Sequence, residues 1–137
     1  MRVAFSTELP AVICALKKLQ DKSTAPQMPF SSLDKAGHSI LKWIEDGDAW
    51  IVGDYFVAVT KGAMWYSEEP MLFEHLVIRL YNTNQNPIST VTDFLKALCV
   101  TEGCAAVIVG DAQFGRMIPV YKDAGFSEVG TQLIWSP

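Results

Sequence analysis

Near the C-terminus, the stretch Val120-Tyr121-Lys122-Asp123-Ala124-Gly125-Phe126 sets a tyrosine ahead of a Gly-Phe pair, in the pattern Y-x-x-x-G-F. A phenol has a pKa of about 10, so at neutral pH it holds a proton that it can donate as a general acid. The same spacing suits a helix that stops at a glycine and packs an aromatic behind it, so core packing is the competing reading of Tyr121. Glu74 and His75 sit inside the long apolar run Met71 to Tyr81. A carboxylate there is either a base or a solvated edge charge. Asp54 belongs to a Gly-Asp turn and reads as a turn residue. His38 lies among charged helix neighbours and reads as a surface histidine. With two histidines and no G-x-S-x-G elbow, a Ser-His-Asp or Cys-His site has no natural arrangement. Cys14, Cys99 and Cys104 show no C-x-x-C and no metal-ligand spacing, so neither a disulfide framework nor a metal site is expected.

The rest of the composition narrows the class. At 137 residues, one domain spanning 1–137 is the expectation. Eleven basic residues against fifteen acidic ones give a net charge of −4, and Lys17-Lys18 is the sole adjacent basic pair. A nucleic-acid partner needs a basic stripe, and none is present in the sequence. No apolar run reaches the length of a membrane span. Glu8 and Pro10 interrupt the apolar N-terminus, which reads as a helix rather than an export signal. With unpaired cysteines, a reducing cytoplasm is the expected compartment.

The elements that must position these residues follow from periodicity. Arg2 to Phe5 reads as a short strand. Ser6 or Thr7 is the expected cap of a helix carrying Leu9, Val12, Ile13, Leu16 and Leu19. Residues 23–29 read as a loop. Ser31 or Ser32 opens a second helix through Leu33, Ala36, Ile40, Leu41 and Ile44, with Gly47 as its stop. Ala49–Val52 and Tyr55–Thr60 read as strands joined at Gly53-Asp54, with Lys61-Gly62 as the next turn and residues 63–66 continuing the sheet. Met71 to Tyr81 is the longest strand, with Leu76, Ile78 and Leu80 on one side and Val77, Arg79 and Tyr81 on the other. Thr90 and Asp93 have the form of a capping box. The helix behind them shows Val91, Phe94, Leu95, Leu98 and Cys99 on one face and ends at Gly103. Cys104 to Val109 reads as a central strand covered on both faces. A helix from about Gln113 through Pro119 to Tyr121 and a last strand from Val129 to Trp135 complete the chain. Trp43, Trp50, Trp65, Trp135, Tyr55, Tyr66 and Phe73 are expected in the core, with Met64-Trp65-Tyr66 as an alternative partner patch. The order is a mixed α/β sheet, antiparallel at first with a βαβ unit later, flanked by about four helices.

That order, closed by Tyr121 to Phe126, resembles the GNAT N-acyltransferase superfamily. The resemblance implies a GNAT-like α+β fold and acetyl-CoA as acyl donor to an amine. It implies Tyr121 as the acid that protonates the departing thiolate and Glu74 as the base for the amine. It places the CoA phosphates near the end of the long strand and the start of the next helix, at Leu80, Asn82, Ser89 and Thr90, with Arg79 and Arg116 as cationic candidates. The family's pyrophosphate loop resembles R/Q-x-x-G-x-G/A. Here the corresponding residues, Thr83 to Thr90, contain no glycine, and Pro87 removes an N–H donor. The alternative implied by that departure is a non-catalytic GNAT-like module working through a protein partner, in a phage particle or against a host factor.

Overall fold

A computed structural model of the chain describes residues 1–22, 31–83, 87–110, 117–130 and 133–137. The strands are β1 (Arg2–Val3), β2 (Ala49–Val52), β3 (Tyr55–Gly62), β4 (Met71–Arg79) and β5 (Ala106–Ile108). The helices are α1 (Leu9–Lys22), α2 (Leu33–Glu45), α3 (Ser89–Thr101) and α4 (Ile118–Asp123), with a one-turn 3₁₀ helix at Ser6–Glu8. The strands form one sheet in the order β1-β2-β3-β4-β5. β1 to β4 pair antiparallel, and β4 pairs β5 in parallel. Parallel neighbours need a crossover, and α3 supplies it. The expected mixed α/β architecture, flanked by four helices among the described residues, is the one observed.

Each face of the sheet carries its own core. Val12, Ile40 and Ile44 from α1 and α2 pack on Ile51, Phe56, Ala58, Leu76 and Ile78. On the other face, Val91, Phe94 and Leu95 of α3 and Tyr121 of α4 pack on Val52, Val57, Val59, Leu72 and Val77. The two sets alternate along β3 as period-2 side chains must. The apolar stripes read from the sequence for α1, α2 and α3 are the buried stripes of those helices.

Local chemistry differs from expectation at several ends. Ser6 and Thr7 lie within the 3₁₀ turn, and Glu8 closes it instead. Its carboxylate accepts the Phe5 N–H at 2.7 Å and pairs with Arg2. Burial pushes the Glu8 carboxyl up, but the Arg2 and Phe5 contacts outweigh it and hold the group below its ordinary range. At α2 the expected cap is present, with Ser32 Oγ accepting the Lys35 N–H at 3.2 Å. At α3 the Thr90–Asp93 box does not form. The chain already turns at Pro87, where Thr90 and Val91 donate to the carbonyls of Pro87 and Ile88. Thr90 therefore sits inside the first turn, too late to cap. Lys61-Gly62 closes β3 rather than forming a turn, because both residues pair with β4. Residues 63–66 leave the sheet, and Trp65 and Tyr66 are exposed, stacked edge-on at 5.3 Å.

The C-terminal third departs most. β5 is three residues long and half-buried, because among the described residues it pairs with β4 alone. Residues 129, 130 and 133–137 form no strand, and Val129, Leu133 and Trp135 are exposed. Alternating apolar residues make a strand only where a neighbour completes the ladder. α4 begins at Ile118, which puts Pro119 in its first turn, where a missing N–H costs nothing. The expected helical start near Gln113 falls outside the described residues.

Candidate active site

The Y-x-x-x-G-F pattern has a complete local explanation. α4 ends in a Schellman closure: Phe126 N–H donates to Tyr121 O at 2.9 Å, and Gly125 N–H to Lys122 O at 3.0 Å. Gly125 supplies the required positive φ of 96°. The closure sets the Tyr121 and Phe126 rings 5.2 Å apart. Lys96 of α3 donates to the Ala124 carbonyl and lies over the Phe126 ring, tying α4 to α3. Tyr121 is thereby buried and fixed on the α3 face of the sheet, at 3% exposure.

That tyrosine lies in the cluster that flanks the parting of two strands. Among the described residues, β5 pairs with β4 at Met71, Leu72 and Phe73. β4 then runs on to Arg79. At the point of parting β4 carries a bulge: Ala58 faces Leu76 and Val59 faces Glu74, so His75 is the extra residue. Glu74 shares the α3 face with Leu72 and Val77, and its Oε2 accepts the Gly110 N–H at 3.1 Å, just beyond the end of β5. The carboxylate thus bridges the two chains where their ladder ends. A crevice at the carboxyl ends of parallel strands is where open α/β sheets bind ligands.

The exit from β4 is organised by Asp54. This carboxylate is 3% exposed. It accepts the Thr83 N–H at 3.2 Å and the Thr83 hydroxyl at 2.8 Å, and Arg79 lies 3.7 Å away. The Asp54 carbonyl also accepts the N–H groups of Leu80 and Tyr81. The Gly-Asp turn between β2 and β3 therefore holds the segment that leads toward α3. Arg79 donates to Tyr81 O and to Asn82 Oδ1, so it belongs to this exit network.

The residues expected around a CoA site divide accordingly. Ser89 and Thr90 open α3, a thirteen-residue helix whose N-cap, Ile88, makes no side-chain cap bond. Ser89 is exposed and Thr90 half-buried. Leu80 packs toward α1 and α2, on the opposite face from Tyr121. Asn82 is engaged by Arg79. Arg116 lies outside the described residues. The Thr90 and Val91 N–H groups are already bonded to the Pro87 and Ile88 carbonyls, so a phosphate group fits this helix start through the two hydroxyls. No group of three or more His, Cys, Asp or Glu among the described residues is arranged to hold a metal ion. No described helix is long and apolar enough to cross a membrane.

Solved structures share this arrangement over nearly the whole chain. An integron cassette protein from the mobile metagenome of Cole Harbour salt marsh superposes with a TM-score of 0.69 at 18% identity, covering 99% of this chain and 88% of its own. A transcriptional regulator from Bacillus halodurans C-125 gives 0.67 at 14%, covering 98% and 97%. The aminoglycoside N-acetyltransferase AAC(6')-Iy, solved with CoA, gives 0.63 at 12%, covering 98% and 91%. The fold is that of the GNAT acyltransferases. No family sequence model and no curated protein sequence matches the chain. The likeness is thus carried by backbone, and further acetyltransferases share the fold at similarly low identity. They give no support to a phage origin.

The bulge is the feature that sequence reading missed. It places His75 and Leu76 on the α2 face together, while Glu74 and Val77 share the other. Its trace in the sequence is a phase slip: Leu72 and Val77 are five apart yet share a face. Trp43, expected in the core, instead stacks half-buried on His75, and Trp135 is exposed.

Proposed function

We propose that this chain is a single-domain N-acyltransferase, taking an acetyl or related acyl group from CoA and passing it to an amine. The observation that carries the reading is the parting of β4 from β5 at Glu74, on the sheet face where Tyr121 is fixed. The hydroxyls of Ser89 and Thr90 hold the phosphates at the positive end of α3. Glu74 holds the strand ends in register through Gly110. Tyr121 gives its phenolic proton to the thiolate as it leaves. CoA supplies the activated thioester; the chain supplies the anion site, the crevice and the proton.

The test is release of free thiol from acetyl-CoA in the presence of a panel of primary amines, with the acetylated product weighed by mass spectrometry. Thiol appearing in step with acetyl-amine supports the reading. Protein that binds acetyl-CoA yet releases no thiol with any amine removes the catalytic claim.

A further inference from the structure

The end of α3 brings together two thiols whose spacing, four residues apart in C-x-x-x-x-C, matches no redox or metal motif in the sequence. Cys104 N–H donates to Cys99 O at 2.9 Å and Gly103 N–H to Val100 O at 3.1 Å, with Gly103 at φ 65°. This is a Schellman closure, and the two residues it joins by the longer bond are the pair whose side chains meet across such a turn. The thiols show that meeting. The Cys99 thiol donates to the Cys104 carbonyl at 3.3 Å, and Cys104 Sγ lies 3.9 Å from the Glu102 carbonyl. A direct backbone hydrogen bond keeps two α-carbons within the roughly 4.4–6.8 Å that a disulfide spans.

The backbone of this turn is also held from outside. Lys61 of β3 donates to the Glu102 carbonyl at 2.9 Å and pairs with its carboxylate at 3.8 Å. The Ala105 N–H donates to Pro70 O at 2.8 Å. Neither clamp uses a thiol, so the two side chains can rotate toward each other while the closure stays in place. Cys99 and Cys104 are half-buried against the α3-face core, and the four residues between them are exposed, so a small reagent reaches the pair. The third thiol, Cys14, is exposed on α1, which packs on the other face of the sheet. We propose that Cys99 and Cys104 are a redox-active dithiol, converted by a low-molecular-weight disulfide of the glutathione class into an intrachain bridge that locks α3 to the start of β5 within the native fold. This site is independent of the acyl-transfer reading.

The two thiols have different roles. Burial, and after it the neighbouring Cys104, push the Cys99 thiol up, so Cys104 is the entry thiol and Cys99 the resolving one. Cys104 gives its proton to water and attacks one sulfur of the small disulfide. That sulfur–sulfur bond breaks, and the first small thiolate leaves with the electron pair and takes a proton from water. Cys99 then loses its proton and attacks Cys104 Sγ in the mixed disulfide. The second small thiolate leaves in the same way. The chain gives up two electrons and two protons, and one small disulfide becomes two small thiols.

The test incubates the reduced full chain in glutathione buffers of graded oxidised-to-reduced ratio, quenches with acid, alkylates the remaining thiols and maps the peptides by mass spectrometry. We expect the folded protein to lose two hydrogens, with Cys99 and Cys104 joined, Cys14 outside the bridge, and full reversal by dithiothreitol. The far-UV circular dichroism is expected to stay unchanged and the melting temperature to rise by about 5 °C, the scale for closing a short loop without strain. Cys99→Ser is expected to accumulate a glutathione adduct on Cys104, and Cys99 in Cys104→Ser to react severalfold more slowly. Wild-type protein that stops at mixed disulfides, or forms the bridge only in denaturant, overturns the proposal. A bridge that lowers the melting temperature overturns the lock, and faster reaction at Cys99 than at Cys104 overturns the assignment of roles.

Discussion

Tyr121→Phe is expected to lower kcat for acyl transfer by about 10²–10⁴-fold, the usual worth of a positioned proton donor. CoA affinity and thermal stability are expected to stay where they were. The expectation follows from the two roles the residue holds. As the residue that meets Phe126 across the α4 closure, it needs only a ring, and phenylalanine keeps that contact. As an acid it needs the hydroxyl, which phenylalanine lacks. Loss of kcat without loss of binding is the signature of an interaction made in the transition state. Tyr121→Ala removes both roles, with about 3–5 kcal/mol of stability going along with the ring. Steady-state kinetics beside a thermal melt separates the cases. Unchanged kcat in the phenylalanine variant makes Tyr121 a packing residue, its spacing set wholly by the helix closure.

Asp54→Ala is the second large effect. The carboxylate is buried, accepts two bonds from Thr83 and faces Arg79. Hydrogen bonds to a charged group contribute about 1.5–3 kcal/mol, and Thr83 and Arg79 regain water when it goes, so a net loss of about 2–3 kcal/mol is expected. The backbone bonds from Leu80 and Tyr81 to the Asp54 carbonyl survive the substitution. The fold therefore remains, and the damage concentrates at the exit of β4. Acetyl-CoA affinity is expected to drop about tenfold, the equivalent of roughly 1.4 kcal/mol spent on reordering the segment that leads to α3. Chemical denaturation and calorimetry read the two numbers. An Asp54→Ala protein that is destabilised yet binds acetyl-CoA as tightly as wild type confines Asp54 to a turn role.

These two residues also show what was legible in the sequence. The stripes of α1, α2 and α3 were readable because helical periodicity is local, and so were the glycines that stop α2, α3 and α4. Tyr121 and Ser89 were singled out because a helix end announces itself in residue type. Asp54 was read as a turn residue, which it is, but its bonds to Thr83 cross from one hairpin to the end of another strand. Nothing local encodes that. The bulge at His75 was hidden for the same reason: it is a mismatch between two strands, seen only once Val59 is known to face Glu74. The strand expected from Val129 to Trp135 failed in the opposite sense, since a good local pattern lacked a described partner. Leu80 was expected at the cofactor, yet alternation along β4 had already assigned it to the α1–α2 side with Leu76 and Ile78.

The most direct test of the account is calorimetric titration of the purified protein with acetyl-CoA and with free CoA. The account predicts saturable heat from one site with a dissociation constant in the micromolar range, weakened when Ser89 and Thr90 are both replaced by alanine. No heat at millimolar acetyl-CoA would contradict it, leaving a GNAT fold whose parted strands hold something other than CoA.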